Sequence, residues 1–184
     1  MPALDDFLPH YQFSERHQRR VSTDAGQLRA ALAALPQWRD PLVERLIALR
    51  EAPARLAASL GARRQLPAQP FGLHSFTMLH QDDGGLVYGL AGCFWQADYG
   101  LRTLADAAGF ARCSDVPRLV LGWQIKPLPD GGSLLQTETR VHCPDRASYL
   151  RFLPYWCLIR PVSGLIRRRM LGIVARIAQQ QVAG

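Results

Sequence analysis

The sequence predicts an α+β domain in which an antiparallel sheet packs against one long, basic C-terminal helix. Three observations lead there. Strand-like and helical stretches occur in blocks rather than in alternation, which argues against a parallel sheet with crossover helices. A Pro-Asp-Gly-Gly turn at residues 129–132 joins two strand-like runs, as a hairpin requires. The last forty residues read as one continuous helical pattern that holds most of the net charge.

Residues 11–23 alternate as a strand with one face in water: Phe13, Glu15 and His17 on one side, Ser14, Arg16 and Gln18 on the other. Asp24 is placed to cap a helix, with Gln27 three residues on. Leu28, Leu32 and Leu35 follow at helical spacing until Pro36. A second helix is expected from Asp40, with Pro41 in its first turn and Leu42, Leu46 and Leu49 as its stripe. Pro53 should break or kink it, 54–60 should continue as helix to Gly61, and 63–70 reads as a polar linker. Residues 72–80 and 86–95 read as strands around an Asp-Asp-Gly-Gly turn. Within 99–115, Leu101, Leu104, Ala105 and Ala108 suggest a short helix ending at Gly109, with a short strand at the start of the segment as the alternative. Strands follow at 118–126 and 133–142. The final helix is expected over 145–181, kinked by Pro154 and Pro161.

The chain is 184 residues long, 48% hydrophobic and 20% charged, which fits one ordinary domain over 1–184. Residues 1–10 carry Asp5 and Asp6, where a secretory leader carries basic residues, and are read as a flexible N-terminus. No run of apolar residues is long enough to span a membrane, so the expected location is the cytoplasm. Cys93, Cys113, Cys143 and Cys157 lack the close pairing of zinc ligands, and are read as reduced, mostly buried thiols. No metal and no cofactor are expected. Neither a phosphate-binding loop, a dinucleotide fingerprint nor a nucleophile elbow is present.

The formal charge is +7, and 21 of the 22 basic residues are arginine. Residues 143–184 hold seven arginines against the single acid Asp145. The same stretch repeats Leu158, Val162, Leu165, Ile166, Met170, Ile173, Val174 and Ile177 near three- and four-residue spacing. That amphipathic pattern suits a helix docked on a sheet, with Leu158, Val162, Leu165, Ile166 and Ile173 inside and Arg168 and Arg169 outside. It would also suit an anionic membrane surface. Nucleic acid is not the expected partner. His74 and His80 are read on one strand face with Phe76 and Met78, about 20 Å apart and too far to share a metal ion.

The element order resembles the helix-grip fold of the START-like, or SRPBCC, superfamily, in which a curved sheet wraps around a long final helix over a cavity. Gly89 to Trp95, Thr137-Glu-Thr-Arg-Val141 and the stretch from Tyr155 to Arg168 are similar to a bacterial branch of it built on a domain of unassigned function. The resemblance implies a fold and a ligand cavity, not a reaction. On that basis the expected function is non-covalent binding of a small apolar or amphipathic molecule between sheet and C-terminal helix. The expected lining is Glu138 and Arg140 as polar anchors, Trp95, Trp123, Tyr155 and Trp156 as apolar wall, and Arg160 from the helix. Glu138 and Arg140 share one strand face and Leu135, Thr137, Thr139 and Val141 the other, more apolar one; with the apolar face inward Glu138 and Arg140 are a solvated pair, and the resemblance instead turns them into the cavity. Two alternatives stand beside this reading: a cavity enzyme of cyclase, dehydratase or hydrolase type using Glu138, and a peripheral membrane or lipid-handling module using the basic helix.

Overall fold

The computed structural model describes residues 4–34, 40–42, 44, 45, 48, 72–96 and 98–180. A short helix α1 (Leu4–Phe7) leads into strand β1 (Phe13–Val21) and helix α2 (Ala25–Ala34). Strands β2 (Thr77–Asp82) and β3 (Gly85–Ala91), helix α3 (Ala107–Arg112), strands β4 (Arg118–Pro127) and β5 (Ser133–His142), and helix α4 (Arg146–Gln180) follow. The five strands form one wholly antiparallel sheet in the order β1-β5-β4-β3-β2. With its long final helix held against that sheet, the layout is the expected helix-grip arrangement.

Local chemistry accounts for most element boundaries. Asp24 accepts hydrogen bonds from the amides of Gly26 and Gln27 at 2.7 and 3.0 Å, capping α2 as its spacing predicts. Asp40 does the same for Leu42 at 3.0 Å at the start of a second helical stretch, whose backbone is helical at Pro41, Leu42, Glu44, Arg45 and Ala48. The expected break at Pro53, the helix over 54–60 and the linker over 63–70 lie outside the described residues. Asp145 caps α4 through the Ser148 amide at 2.7 Å, and these backbone bonds hold its carboxyl below its ordinary pKa. Gly131 takes the positive φ of 81° that the β4–β5 turn needs. α4 runs unbroken through Pro154 and Pro161 for 35 residues.

Four expectations need correction. Residues 72–80 are not one strand: Leu73–Ser75 form a single 3-10 turn and only Thr77 onward joins the sheet, so His74 and His80 do not share a strand face. The short helix begins where it was expected to end, because Asp106 caps it by accepting from the Gly109 amide at 2.7 Å. Residues 4–8 are not a free arm: Leu4 and Leu8 are 5% and 1% exposed. On α4, Ile173 is buried as expected, but Leu158 and Leu165 face solvent, because the helix turns its other side to the sheet.

The sheet is covered on both faces. On one, the second half of α4 (Met170 to Ala178) and α2 pack on Tyr88, Leu121, Trp123, Ile125 and Leu135. Beside them, the first half of α4 sets Phe152, Trp156 and Ile159 against Phe13, Leu90, Phe94 and Val141. On the opposite face, α1 and α3 place Leu4, Leu8 and Phe110 against Leu79, Val87 and Val120. Truncating a buried side chain in these clusters costs about 2–5 kcal/mol.

Candidate functional site

Strand β5 decides where the polar residues go. Arg140 pairs in register with Val120, and Glu138 with Gly122, on the face away from α4. A Cβ at Gly122 would come within 2.7 Å of Leu4, so α1 lies directly over this spot. Glu138 and Arg140 therefore do not line the space between sheet and long helix. They sit beneath the N-terminal segment, with side chains 6% and 8% exposed. Arg140 Nε donates to Glu138 Oε1 at 2.7 Å and Nη1 to Asp5 Oδ1 at 2.6 Å, while its guanidinium stacks 4.5 Å from the Tyr11 ring centre. Arg16, opposite Glu138 on β1, donates to Oε2 at 2.9 Å. Burial by itself would lower the Arg140 pKa. The hydrogen bonds and charges of Glu138 and Asp5 more than offset it and hold that pKa above its ordinary value. Both Glu138 oxygens are engaged by cations, an arrangement that ties β1 and the N-terminal segment to β5.

The remaining expected lining residues divide between two clusters. Trp123, 1% exposed, lies under the second half of α4. Trp156, Tyr155 and Trp95 belong with the first half, and Arg160 on the same helix is exposed. Facing α4 from β1 is a pair that the alternation of this strand placed on one side without marking it as special. His17 Nε2 and Glu15 Oε1 are 2.9 Å apart, each side chain 12% exposed. Gly164 lets the helix approach them, since a Cβ there would stand 2.7 Å from Glu15 Oε1. In the next strands of that face, Thr137 pairs with both His17 and Trp123. The Thr137 hydroxyl and the Trp123 indole nitrogen are buried with no hydrogen-bond partner among the described residues.

Further along the same edge, β1 and α4 border an open groove of about 450 Å³. Arg19 from β1 and Arg168, Arg169 and Arg176 from α4 line it, with Leu42, Leu165 and Ile173 as apolar wall. Gly172 leaves space beside the Arg19 guanidinium, which lies 3.6 Å from where a Cβ would be. Arg169 pairs with Asp40 at 3.1 Å. Asp40 thus caps a helical turn and neutralises one of the four cations. Sequence reading marked the helical arginines as a solvated face. Nothing local to Arg19 or Asp40 pointed to a groove, because only the folded chain brings them to α4.

Among the described residues, no three His, Cys, Asp or Glu side chains gather as metal ligands, and no helix is long and apolar enough to cross a membrane. All four cysteines are free thiols. Cys143 is buried and its pKa is pushed up to about 11 by that burial and by Asp145, but Cys157 is exposed, contrary to expectation. No family model matches the chain, and no curated protein matches it. Among solved structures, the crystal structure of Ara h 8.0201 is similar to it at 13% identity and a TM-score of 0.43, over 94% of this chain and 99% of that one.

Proposed function

We propose that this protein binds, without covalent chemistry, a small amphipathic molecule bearing an anionic group, held in the groove where β1 meets α4. The observation that carries this reading is the charge imbalance of the groove. Four guanidinium groups from two elements line it, and a carboxylate is paired with one of them. Like charges held together repel, and an anion bridging them relieves that repulsion while taking the bidentate hydrogen bonds that arginine favours. Leu42 and Leu165, 41% and 50% exposed, offer the apolar tail a wall that water now covers. The reading keeps the ligand class expected from the sequence and moves its polar anchors from Glu138 and Arg140 to the arginines of β1 and α4. Four free thiols suit a reducing compartment, and we place the protein in the cytoplasm on that ground.

Titration calorimetry with three probes tests this: an alkyl phosphate below its micelle concentration, the matching alcohol, and inorganic phosphate. The alkyl phosphate should bind best, because it alone satisfies both walls. Replacing Arg168 and Arg176 together by alanine should weaken it about tenfold, the loss of one charge-assisted contact or more. Equal binding of the alcohol, or no loss in the double variant, would remove the arginines from the site.

A further inference from the structure

We propose that the outward face of α4 docks on the surface of a membrane containing anionic lipids. The solvent side of this helix carries leucines as well as the arginines expected there. Leu150, Leu158 and Leu165 are 54%, 65% and 50% exposed. They lie seven or eight residues apart, two turns each, and so fall on one stripe. Pro154, Cys157 and Pro161 are exposed between them, and Arg168, Arg169 and Arg176 continue the stripe toward the C-terminus. The helix contains seven arginines and no acidic residue over its whole described length. Water contact is costly for three large aliphatic side chains in a row, and such a row flanked by cations matches the boundary between acyl chains and acidic headgroups.

Charge selects among occupants. A second copy of the chain meeting this face through its own would bring arginine against arginine. Nucleic acid would satisfy the arginines but offers little to three exposed leucines. An anionic bilayer satisfies both, each arginine gaining from the negative surface potential and each leucine from the acyl boundary. The stripe shares Leu165, Arg168, Arg169 and Arg176 with the groove, whereas Leu150 and Leu158 lie outside it, so these two leucines separate the membrane face from the ligand site.

The test is co-sedimentation of the full chain with vesicles of phosphatidylcholine alone and of phosphatidylcholine with phosphatidylglycerol. Binding is expected to the second only, and to fall as salt rises. The Leu150→Ser/Leu158→Ser variant should lose about tenfold in partitioning, since each leucine contributes several buried methylene or methyl groups, while its circular dichroism and its alkyl phosphate affinity stay unchanged. Equal binding to both vesicles, binding to neither, or full binding by the double variant overturns the proposal. So does a dimer in sedimentation velocity that the double variant abolishes, which would assign the face to a second copy. Binding to duplex DNA that the double variant retains, with no binding to vesicles, would assign it to nucleic acid.

Discussion

Replacing Arg140 by alanine removes the centre of a four-membered chain of alternating charge, Arg16, Glu138, Arg140 and Asp5. Glu138 is 6% exposed at its side chain, and Arg140 supplies its Oε1 partner. Removing one member of a buried ion pair costs about 3–5 kcal/mol when nothing else compensates. Here Arg16 still holds Oε2 at 2.9 Å, but it is 58% exposed and screened by water, so it returns only a part. The loss of Asp5 is minor, because that carboxylate is 62% exposed and regains water. The loss of the Tyr11 contact adds about 0.5–1 kcal/mol. The expected destabilisation is about 2–4 kcal/mol by urea unfolding near pH 7. Replacing Glu138 by leucine and Arg140 by methionine together should recover most of it, because two apolar groups of similar size leave no charge unpaired. A double-mutant cycle built from Glu138→Leu, Arg140→Met and the two combined should therefore give a coupling of at least about 1.5 kcal/mol. A coupling below about 0.5 kcal/mol, with Arg140→Ala costing under about 1 kcal/mol, would show that the pair is solvated in solution and that α1 does not stay over it.

Two further outcomes follow from the buried ionisable groups. In native protein near pH 8, a disulfide reagent should label Cys157 first, whereas Cys143, buried with its pKa pushed up to about 11, should react only on unfolding; equal rates for the two would refute the burial of Cys143. His142 has its pKa lowered by desolvation and by the positive charges of Arg118 and His10, so the unfolded chain takes up its proton first. Stability should then fall as pH drops from just above the ordinary histidine value through the lower folded value, and His142→Gln should flatten that part of the curve; an unchanged slope would place the charge sensitivity elsewhere.

How much of this was legible depends on how local the cause was. The strand at Ser133–His142 appears with the boundaries its alternation and its Pro-Asp-Gly-Gly turn implied, and the carboxylates of Asp24, Asp40 and Asp145 cap the helices they precede. These signals act over three or four residues. The more apolar face of β5, Leu135, Thr137, Thr139 and Val141, meets the helix as its alternation suggested, but that the face of Glu138 and Arg140 is covered as well was not legible. That cover comes from Asp5, α1 and Tyr11, which reach Arg140 from the N-terminal segment. The same limit explains Leu158 and Leu165. A period of seven places residues on one side of a helix and does not say which side the sheet will cover. Packing of α4 on β1 at Gly164 settles that, and it leaves both leucines outside. The groove lay beyond local reading for the same reason, as Arg19 and Asp40 come from two further segments.

The pairing of the first strand with the last has a consequence for how the chain acquires its structure. Arg16 must find Glu138 across 122 positions and Asp5 must find Arg140 across 135. Closing loops of that length before the contacts reward it is slow, so folding should sit toward the slow end of the millisecond-to-second range of domains dominated by non-local strand pairing. During synthesis β1 leaves the ribosome with its apolar Phe13 and its backbone edge unmatched, and it waits until β5 has emerged. The hairpins of β2 with β3 and of β4 with β5 form from neighbours and need no such delay. The late event is the capture of the N-terminal segment by a sheet that is otherwise complete, and an unpaired edge kept open for that long is where self-association of the nascent chain would begin.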